Sequence, residues 1–524
     1  MQDSWIVLLP PLIVLFLAFF TKKIIFSLII GVILASFIKA NFSLFSTIIA
    51  VKNALLVQIL NIDNLYIFSF LIAIGTIISL VTFVGGTQAY ARLIKKKIKT
   101  VRGAESASIL LSLLLLFDDF FSSITVGSIM RPLTEHFSIA RTKLAFLIDS
   151  MAAPLVVIMP ISSWIATMTM QLAKGGISGV AAPSTLILSE PYSLYLHIIP
   201  FIFYSFILIA SVLFIVQRRI SYGPMKQHEL QALAQQPIPL DSLTQSKKGT
   251  FIDFIIPMGF LLSTIFIAIL YAGDYHWFGG NNSLSAALAQ TNIFFALFWG
   301  SFFALISSFI FFFTTKKITL QAVPFLLKEG FLLMNSSITM LFFSWVFSNL
   351  LLIDLHSGDY LASLLNGNIP LFLLPAIFFV LSAITSIGIG SSWGTIAIMV
   401  PLAIPLIVQL FLVTLPTLPT EVPLLLPTLG AIFGGAVAGD HISPLSSTTV
   451  MSAMSSGTSL AHHVQTQVPY ALPAIISCII AYIIAGLLVQ QSIRLSIIVS
   501  LSVGIFLCFS ILIVLNKRAQ KKTW

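Results

Sequence analysis

Carboxylates are scarce in this chain, which makes their positions informative. Only 17 Asp and Glu residues occur among 524. Four of them, Asp118, Asp119, Asp149 and Asp440, fall inside strongly apolar stretches. An ionised carboxylate at membrane depth costs at least ~2.5 kcal/mol unless it faces water or a partner. Such a group is therefore either a proton or cation site, or a structural group that caps a broken helix or pairs with an Arg. Asp118 and Asp119 are adjacent and repel each other, so a proton or cation between them relieves the pair. Asp149 precedes Ser150 and lies near Pro154, a setting that suits a structural kink as well as a site. Asp440 sits in "AGDHISPLSSTT", where Gly, Pro and hydroxyls crowd one unwinding.

The neighbouring residue types extend this chemistry. His441 beside Asp440 is a proton relay or holds a helix end. Ser122, Ser123, Ser162, Ser163, Ser391, Ser392, Gly394, Thr395, Ser443, Ser446, Ser447 and Thr448 flank predicted helix breaks. Hydroxyls and freed carbonyls at broken helix ends are the hard oxygen ligands that Na⁺ or a small solute needs. The plainer role of the same hydroxyls is to satisfy backbone opened by Pro160 and Pro444. Trp393 would wall a solute pocket. His462 and His463 read as solvated loop residues. Zinc- and calcium-type sites are excluded by the lack of paired Cys, H-x-x-x-H or an acidic calcium loop. No cofactor is expected, only Na⁺ and H⁺ as transported or coupling ions. The "GISG" at Gly176–Gly179 echoes an intramembrane serine protease, but it falls in a loop of small residues. Val437 stands where a presenilin-like Gly-x-Gly-Asp needs its first Gly. An intramembrane hydrolase is the remote alternative.

These residues need elements to hold them in lipid. The chain is 58% hydrophobic and 8% charged, with mean hydropathy +1.05. Apolar runs near twenty residues recur throughout, the pattern of an all-α polytopic membrane protein whose main partner is the bilayer. The net charge of +10 does not call for nucleic acid, because Lys and Arg gather in short loops that encode topology. Cys478 and Cys508 sit in apolar runs and suit buried small residues. The N-terminal segment lacks a positive flank and a cleavage site, and reads as a retained span.

Expected spans are 5–21, 24–40, 65–84, 144–172, 194–216, 252–272, 291–315, 330–353, 424–455, 468–488 and 493–516. The basic clusters are Lys22/Lys23, Arg92–Arg102, Arg131–Lys143, Arg218–Lys248, Lys316/Lys317/Lys328 and Lys517–Lys522. The positive-inside rule places all of them in the cytoplasm. Segment 104–130 has basic loops on both sides, so it must return to the face it left. Two arms of about 13 residues rise only roughly 20 Å, against about 30 Å of hydrocarbon. A re-entrant hairpin from the cytoplasmic side results, and 370–400 is its counterpart from outside. The reading is about eleven spans and two hairpins, with the N-terminus outside and the C-terminus cytoplasmic. Segment 42–60 is an interfacial helix, and 401–423 is ambiguous.

This topology makes the second half the first turned upside down. Units follow as a first span (1–23), repeat one (24–216), a linker with a connecting helix (217–290), repeat two (291–490), and a last span with a basic tail (491–524). Sequence echoes agree: "SSITVGSIMRPL" with "SSWGTIAIMVPL", then "MPISS" with "SPLSS". Inverted-topology repeats with broken helices meeting at midmembrane mark secondary transporters. The spacings Gly430–Gly434 and Gly435–Gly439 read as close helix packing.

Three long motifs, "FDDFFSSITVGSIMRPLTEHFSIARTKLAFLIDSMAAPLVVIMPISSWIA", "SIGIGSSWGTIAIMVPL" and "GAVAGDHISPLSSTT", together with "HHVQTQVPYA", resemble the NhaC-type Na⁺/H⁺ antiporter family of the ion-transporter superfamily. The resemblance implies a bacterial inner-membrane secondary transporter, of a fold often found as a homodimer. It departs at Ile442 for the family's Cys, at Ser447 for its second Asp, at Ser122 for its Asn, and at "TSLAHHV" for an Asp/His-rich stretch. Ser447 removes a ligand and a charge. The leading expectation is therefore cation/proton antiport by alternating access, with Na⁺ and H⁺ competing at Asp440 and Asp118 or Asp119. The alternative is a Na⁺- or H⁺-coupled carrier of a small organic acid or amino acid.

Cysteines placed singly in 91–102 and 131–143 should react with a membrane-impermeant maleimide from the same side. Labelling from opposite sides would rule out the first hairpin.

Overall fold

The computed structural model describes residues 5–21, 23–86, 98–234, 249–357, 360, 363, 369–411 and 416–521. Lys22, residues 91–97 of the first basic loop and residues 235–248 of the linker lie outside the described residues. The first half contains α1 (Leu9–Thr21), α2 (Ile24–Lys39), α3 (Leu44–Ile59), α4 (Ile62–Val84), α5 (Val101–Leu114) and α6 (Asp119–His136). It continues with α7 (Arg141–Met151), α8 (Ser163–Lys174), α9 (Pro191–Ile198) and α10 (Phe203–Arg218). A linker helix, α11 (Gly223–Ala234), and α12 (Ile252–Ala272) follow. The second half contains α13 (Ile293–Thr314), α14 (Val323–Asn349), α15 (Leu374–Ile389), α16 (Ser392–Leu410), α17 (Leu425–Ile442) and α18 (Ser447–Ser456). The long α19 (Leu460–Leu488) and α20 (Ile493–Lys521) complete it. Strand structure among the described residues is one two-residue parallel pair, Ile177–Ser178 with Ile187–Leu188.

The fold is all-α and polytopic. By length and apolar composition, 9 helices among the described residues can cross a membrane, or up to 10 with the bent pair Pro191–Phe201 and Phe203–Arg218. The expectation of about eleven spans divides the chain differently. It counts 144–172 as one span, whereas the chain there is α7 and α8 separated by a single helical turn, Ala153–Val156, and irregular backbone. Likewise 424–455 is split into α17 and α18. The second hairpin also runs past its expected end at 400. α16 continues through Pro401 and Pro405 to Leu410, because neighbouring helices bury the freed backbone groups. Its two arms are 19 residues each, about 28 Å long, so they are not the short arms the sequence led us to expect.

The breaks are held by one another. Phe117 O, in the turn between α5 and α6, accepts from Ser163 N at the start of α8 (2.9 Å). In the second half Ser443 Oγ, just past α17, donates to Ile387 O near the end of α15 (2.8 Å). The irregular stretch after α7 is bound by Ser162 Oγ to Val156 O (3.0 Å), by Tyr192 OH to Pro160 O (3.4 Å) and by Tyr195 OH to Val157 O. Gly390 takes a left-handed conformation (φ 70) at the α15–α16 turn, where a Cβ would meet Leu445. Glycine is the residue that occupies that region without strain.

α17 lies at the centre of the protein and is buried along its length. A Cβ on Gly435 would stand 2.3 Å from Phe379 O of α15, and one on Gly439 would stand 2.2 Å from Ala383 O. These glycines bring two backbones into contact, as small residues do in lipid. The outer surface is apolar. On α3, Leu44, Phe45 and Ile48 are 77%, 75% and 69% exposed, an arrangement that suits lipid. Cys478 and Cys508 are both free and buried.

Gly435→Leu should destabilise the detergent-purified protein by about 1–3 kcal/mol through overpacking. Gly259→Ala should not lower the melting temperature, since a Cβ there meets nothing within 4 Å and Ala favours the helix. An unchanged melting temperature for Gly435→Leu would contradict the close α15–α17 contact.

Candidate functional site

Both hairpins turn back next to a broken helix, and a cavity of ≈ 180 Å³ opens where these four elements meet. Asp119, from the first turn of α6, and Asp440, from the last turn of α17, both line it. Ser391, Ser392 and Trp393 enter from α16 and its cap, and Ser446, Ser447 and Thr448 from α18 and its cap. α14 adds Ser336, Ser337 and Met340. Among the described residues the lining contains two carboxylates and no Lys, Arg or His.

Asp440 is 5% exposed and is held by hydroxyls. Thr448 Oγ1 donates to its Oδ2 (3.0 Å), and Ser446 Oγ lies 2.9 Å from Thr448 Oγ1. The Ser392 N–H at the start of α16 is aimed at the same carboxyl. The carboxyl thus sits at a helix N-terminus, where the backbone dipole favours negative charge. Asp119 lies within electrostatic reach of both Asp118 and Asp440. Trp164 turns its indole N–H toward Asp119, yet Nε1 closes no ordinary hydrogen bond among the described residues. Ser392 Oγ is also buried and unpartnered. Two carboxylates close together in an enclosed space repel, and a cation or proton relieves that repulsion. Among the described residues no group of three or more His, Cys, Asp and Glu could hold a metal ion. Carboxylate and hydroxyl oxygens are the ligands of a hard, labile cation.

The remaining sequence-predicted residues lie outside the cavity lining. Asp118 is the N-cap of α6, with Oδ1 accepting from Phe121 N (2.9 Å). Ser122 and Ser123 are buried on α6, and neither Oγ has a partner among the described residues. Ser162 binds Val156 O, and the Ser163 N–H goes to Phe117 O. Gly394 N donates to Ser391 Oγ (3.1 Å), and Thr395 Oγ1 donates to Ser391 O (2.9 Å). Ser443 ties the two breaks of the second half together. His441 Nε2 lies 3.0 Å from Ser150 Oγ and its Nδ1 2.8 Å from Tyr204 OH. Asp149 is buried in a separate network with Thr449, His463 and Gln467.

Two residues contradict or extend the sequence reading. His463 is not a solvated loop residue: it is fully buried on α19, whereas His462 is exposed. α19 begins at Leu460, so the turn that looked polar is already helical and one of the two rings faces inward. Trp164 was not anticipated, although it packs edge-on against Trp393 with centroids 6.0 Å apart. Its signal was present in the chain: Ser-Ser-Trp occurs at 162–164 and again at 391–393.

Comparison with known proteins places this arrangement among transporters. A family model described as the Na⁺/H⁺ antiporter family matches residues 155–487. A protein of Haemophilus influenzae, described only as uncharacterized, is 31% identical over 472 residues, covering 88% of this chain and 87% of that one. The solved YdaH transporter of Alcanivorax borkumensis superposes with a TM-score of 0.53 at 15% identity, covering 85% of this chain and 89% of that one. At that identity the likeness concerns the fold. MtrF of Neisseria gonorrhoeae superposes with a TM-score of 0.37 at 14% identity, covering 82% of this chain and 84% of that one.

The cap and the cavity carboxylate should separate by mutation. Asp118→Asn keeps a good N-cap and should preserve stability, while Asp118→Ala should cost about 0.5–2 kcal/mol. Asp119→Asn should leave the melting temperature in place but abolish its rise on adding Na⁺ or Li⁺. The reverse pattern would exchange the two roles.

Proposed function

The chain belongs to the Na⁺/H⁺ antiporter family, and from that premise we propose that it exchanges Na⁺ or a similar small cation for protons at Asp119 and Asp440. It is a multi-pass membrane transporter and not an enzyme. The observation that carries the finer reading is the cavity lining: two carboxylates from opposite halves of the chain, hydroxyls around them, and no cationic side chain among the described residues. Ionised, the pair attracts a cation. Protonated, it releases one, so cation and proton exclude each other from one site. The breaks at Gly390, at Ser443–Ser446 and between α7 and α8 are the points about which the halves would rock to open the site to alternate sides. Ser447 supports a site whose charge rests on Asp119 and Asp440, since it contributes a hydroxyl where relatives are expected to carry a carboxylate. The basic loops support a bacterial inner-membrane location with the N-terminus outside and the C-terminus in the cytoplasm.

A second reading has one observation in its favour. The cavity holds more than a bare ion, and Trp164, Trp393, Met340 and Phe120 wall it. Aromatic faces and carboxylates together attract an organic ammonium group, so a coupled carrier of an amino acid fits this lining. A plain organic acid fits worse, because it would meet two carboxylates and no counter-charge.

In liposomes loaded with a pH-sensitive dye, Na⁺ or Li⁺ should drive proton movement by the wild type. Asp440→Asn should reduce it to the empty-liposome background at normal expression. If no inorganic cation moves protons while a labelled amino acid accumulates down a Na⁺ or H⁺ gradient, the second reading replaces the first.

A further inference from the structure

Beside the cavity lies a buried acid–base pair that the cavity does not use. Asp149 on α7 is 2% exposed and absent from the cavity lining. Its Oδ2 accepts from Thr449 Oγ1 at 3.0 Å and from Gln467 Nε2 at 2.6 Å, and it lies 3.3 Å from His463 Nε2. Three donors converging on one oxygen is the environment of an ionised carboxylate. His463 is fully buried, and its second ring nitrogen, Nδ1, has no hydrogen-bond partner among the described residues. With Nε2–H directed at Asp149, Nδ1 presents an open lone pair, the form of imidazole that accepts a proton.

We infer that Asp149 and His463 form a proton-binding station separate from the cation site, with the proton held at His463 Nδ1. The step balances without a further reactant. A proton adds to the Nδ1 lone pair, the ring becomes imidazolium, and its charge neutralises that of Asp149. Loss of the same proton restores the neutral ring. This inference rests on the cation/proton exchange proposed above, and it adds a site where a proton binds and the cation cannot reach.

The station is wired to the cavity through consecutive residues. Thr448 Oγ1 donates to Asp440 Oδ2, and Thr449 Oγ1 donates to Asp149 Oδ2 and also approaches Asp440 O (3.3 Å). One turn of α18 therefore grips the cavity carboxylate with one hydroxyl and the proton station with the next. Gln467 Nε2 also binds His441 O, tying α19 to the end of α17. A change of charge at His463 then alters the hold on the first turn of α18, and through it on Asp440.

A route for the proton begins one residue away. His462 lines a second cavity of ≈ 420 Å³, at the turn between α6 and α7, together with Glu135, Arg141, Ser459 and His228. The ionisable groups that bear on His463 come from a few elements. α7 supplies Asp149, α17 supplies His441, and α18 supplies only hydroxyls. α11 brings His228 against His462, with ring centroids 5.0 Å apart. α7 also places Lys143 over the Tyr470 ring, further along α19 (5.5 Å). α15 carries no ionisable side chain.

His463→Gln in the full chain, reconstituted in liposomes, separates this role from a structural one. Cation–cation exchange, read as ²²Na⁺ against Na⁺ at equal pH, needs only the cavity and should stay within about twofold of wild type. Na⁺-driven proton flux should fall by about tenfold or more, the scale of losing a positioned proton acceptor. Unchanged proton flux overturns the inference, and so does parallel loss of both fluxes, which would make His463 structural. ¹⁵N-histidine NMR of the wild type gives an answer that does not depend on variant folding or on which cation is carried. One imidazole absent from the His463→Gln spectrum should carry its proton on Nε2, toward Asp149, and leave Nδ1 as the open acceptor. A His463 signal with the proton on Nδ1 and a bare Nε2 overturns the station, even if the wild type proves to carry no inorganic cation.

Discussion

A helix interrupted inside a bilayer leaves amide and carbonyl groups that no water can satisfy, and each costs several kcal/mol if left alone. This chain is interrupted in the interior repeatedly, and the remedy in each half is to put the interruptions against each other. Phe117 O at the first hairpin turn takes the Ser163 N–H of the following break. Ile387 O beside the second hairpin turn takes the Ser443 hydroxyl of the break that follows it. The hydrogen bonds that make the breaks tolerable also bring the hairpin turns and broken ends to one place. The cavity is a product of that constraint: Asp119, Ser392, Asp440 and Thr448 face one another because the backbone around them had nowhere else to find partners.

The same constraint decides what could be read from the chain in advance. Pro, Gly and hydroxyls inside apolar runs, as in "MPISS" and "SPLSS", locate interruptions because few other residues tolerate or repair them. Asp119, Asp440 and the Ser391–Trp393 stretch were legible for the same reason, and so was the membrane class. The lengths of the elements were not. Proline normally stops a helix, so 400 looked like an end, but α16 continues through Pro401 and Pro405 under neighbouring helices. Span counting also rests on uninterrupted length, which fails where α7 and α8 share one apolar run.

Long-range partners were legible only in part. Asp149 was visible as a buried acid, but Thr449, Gln467 and His463 lie about 300 residues away in the chain. Nothing local to "LAHHVQTQ" distinguishes the inward ring from the outward one. On a helix, residues one apart point in different directions by about 100°, so His462 and His463 belong to different environments as soon as α19 is known to begin at Leu460. The helix start, and not the residue type, separates a solvated histidine from a buried one.

The two hairpins also show where symmetry gives way to chemistry. Their second arms begin with the same cap: Asp118 accepts from Phe121 N and Ser391 accepts from Gly394 N, each three residues on. By cap position Asp118–Asp119 therefore stands opposite Ser391–Ser392. The sequence echo, however, pairs Ser391–Ser392 with Ser122–Ser123, four residues later, which is about one helical turn. The first hairpin thus begins its arm one turn earlier than the echo indicates, and that extra turn carries the acids. In the second hairpin the same position holds hydroxyls, and the negative charge comes instead from Asp440 at the end of the broken helix. Each half therefore supplies one cavity carboxylate, but from a different element. Placed at the same element, the two charges would both lie on helix starts. Placed as they are, Asp119 belongs to the start of α6 while Asp440 ends α17 and is held by the starts of α16 and α18. The two acids are therefore held by different broken regions, Asp119 by the turn before α6 and Asp440 by the starts of α16 and α18.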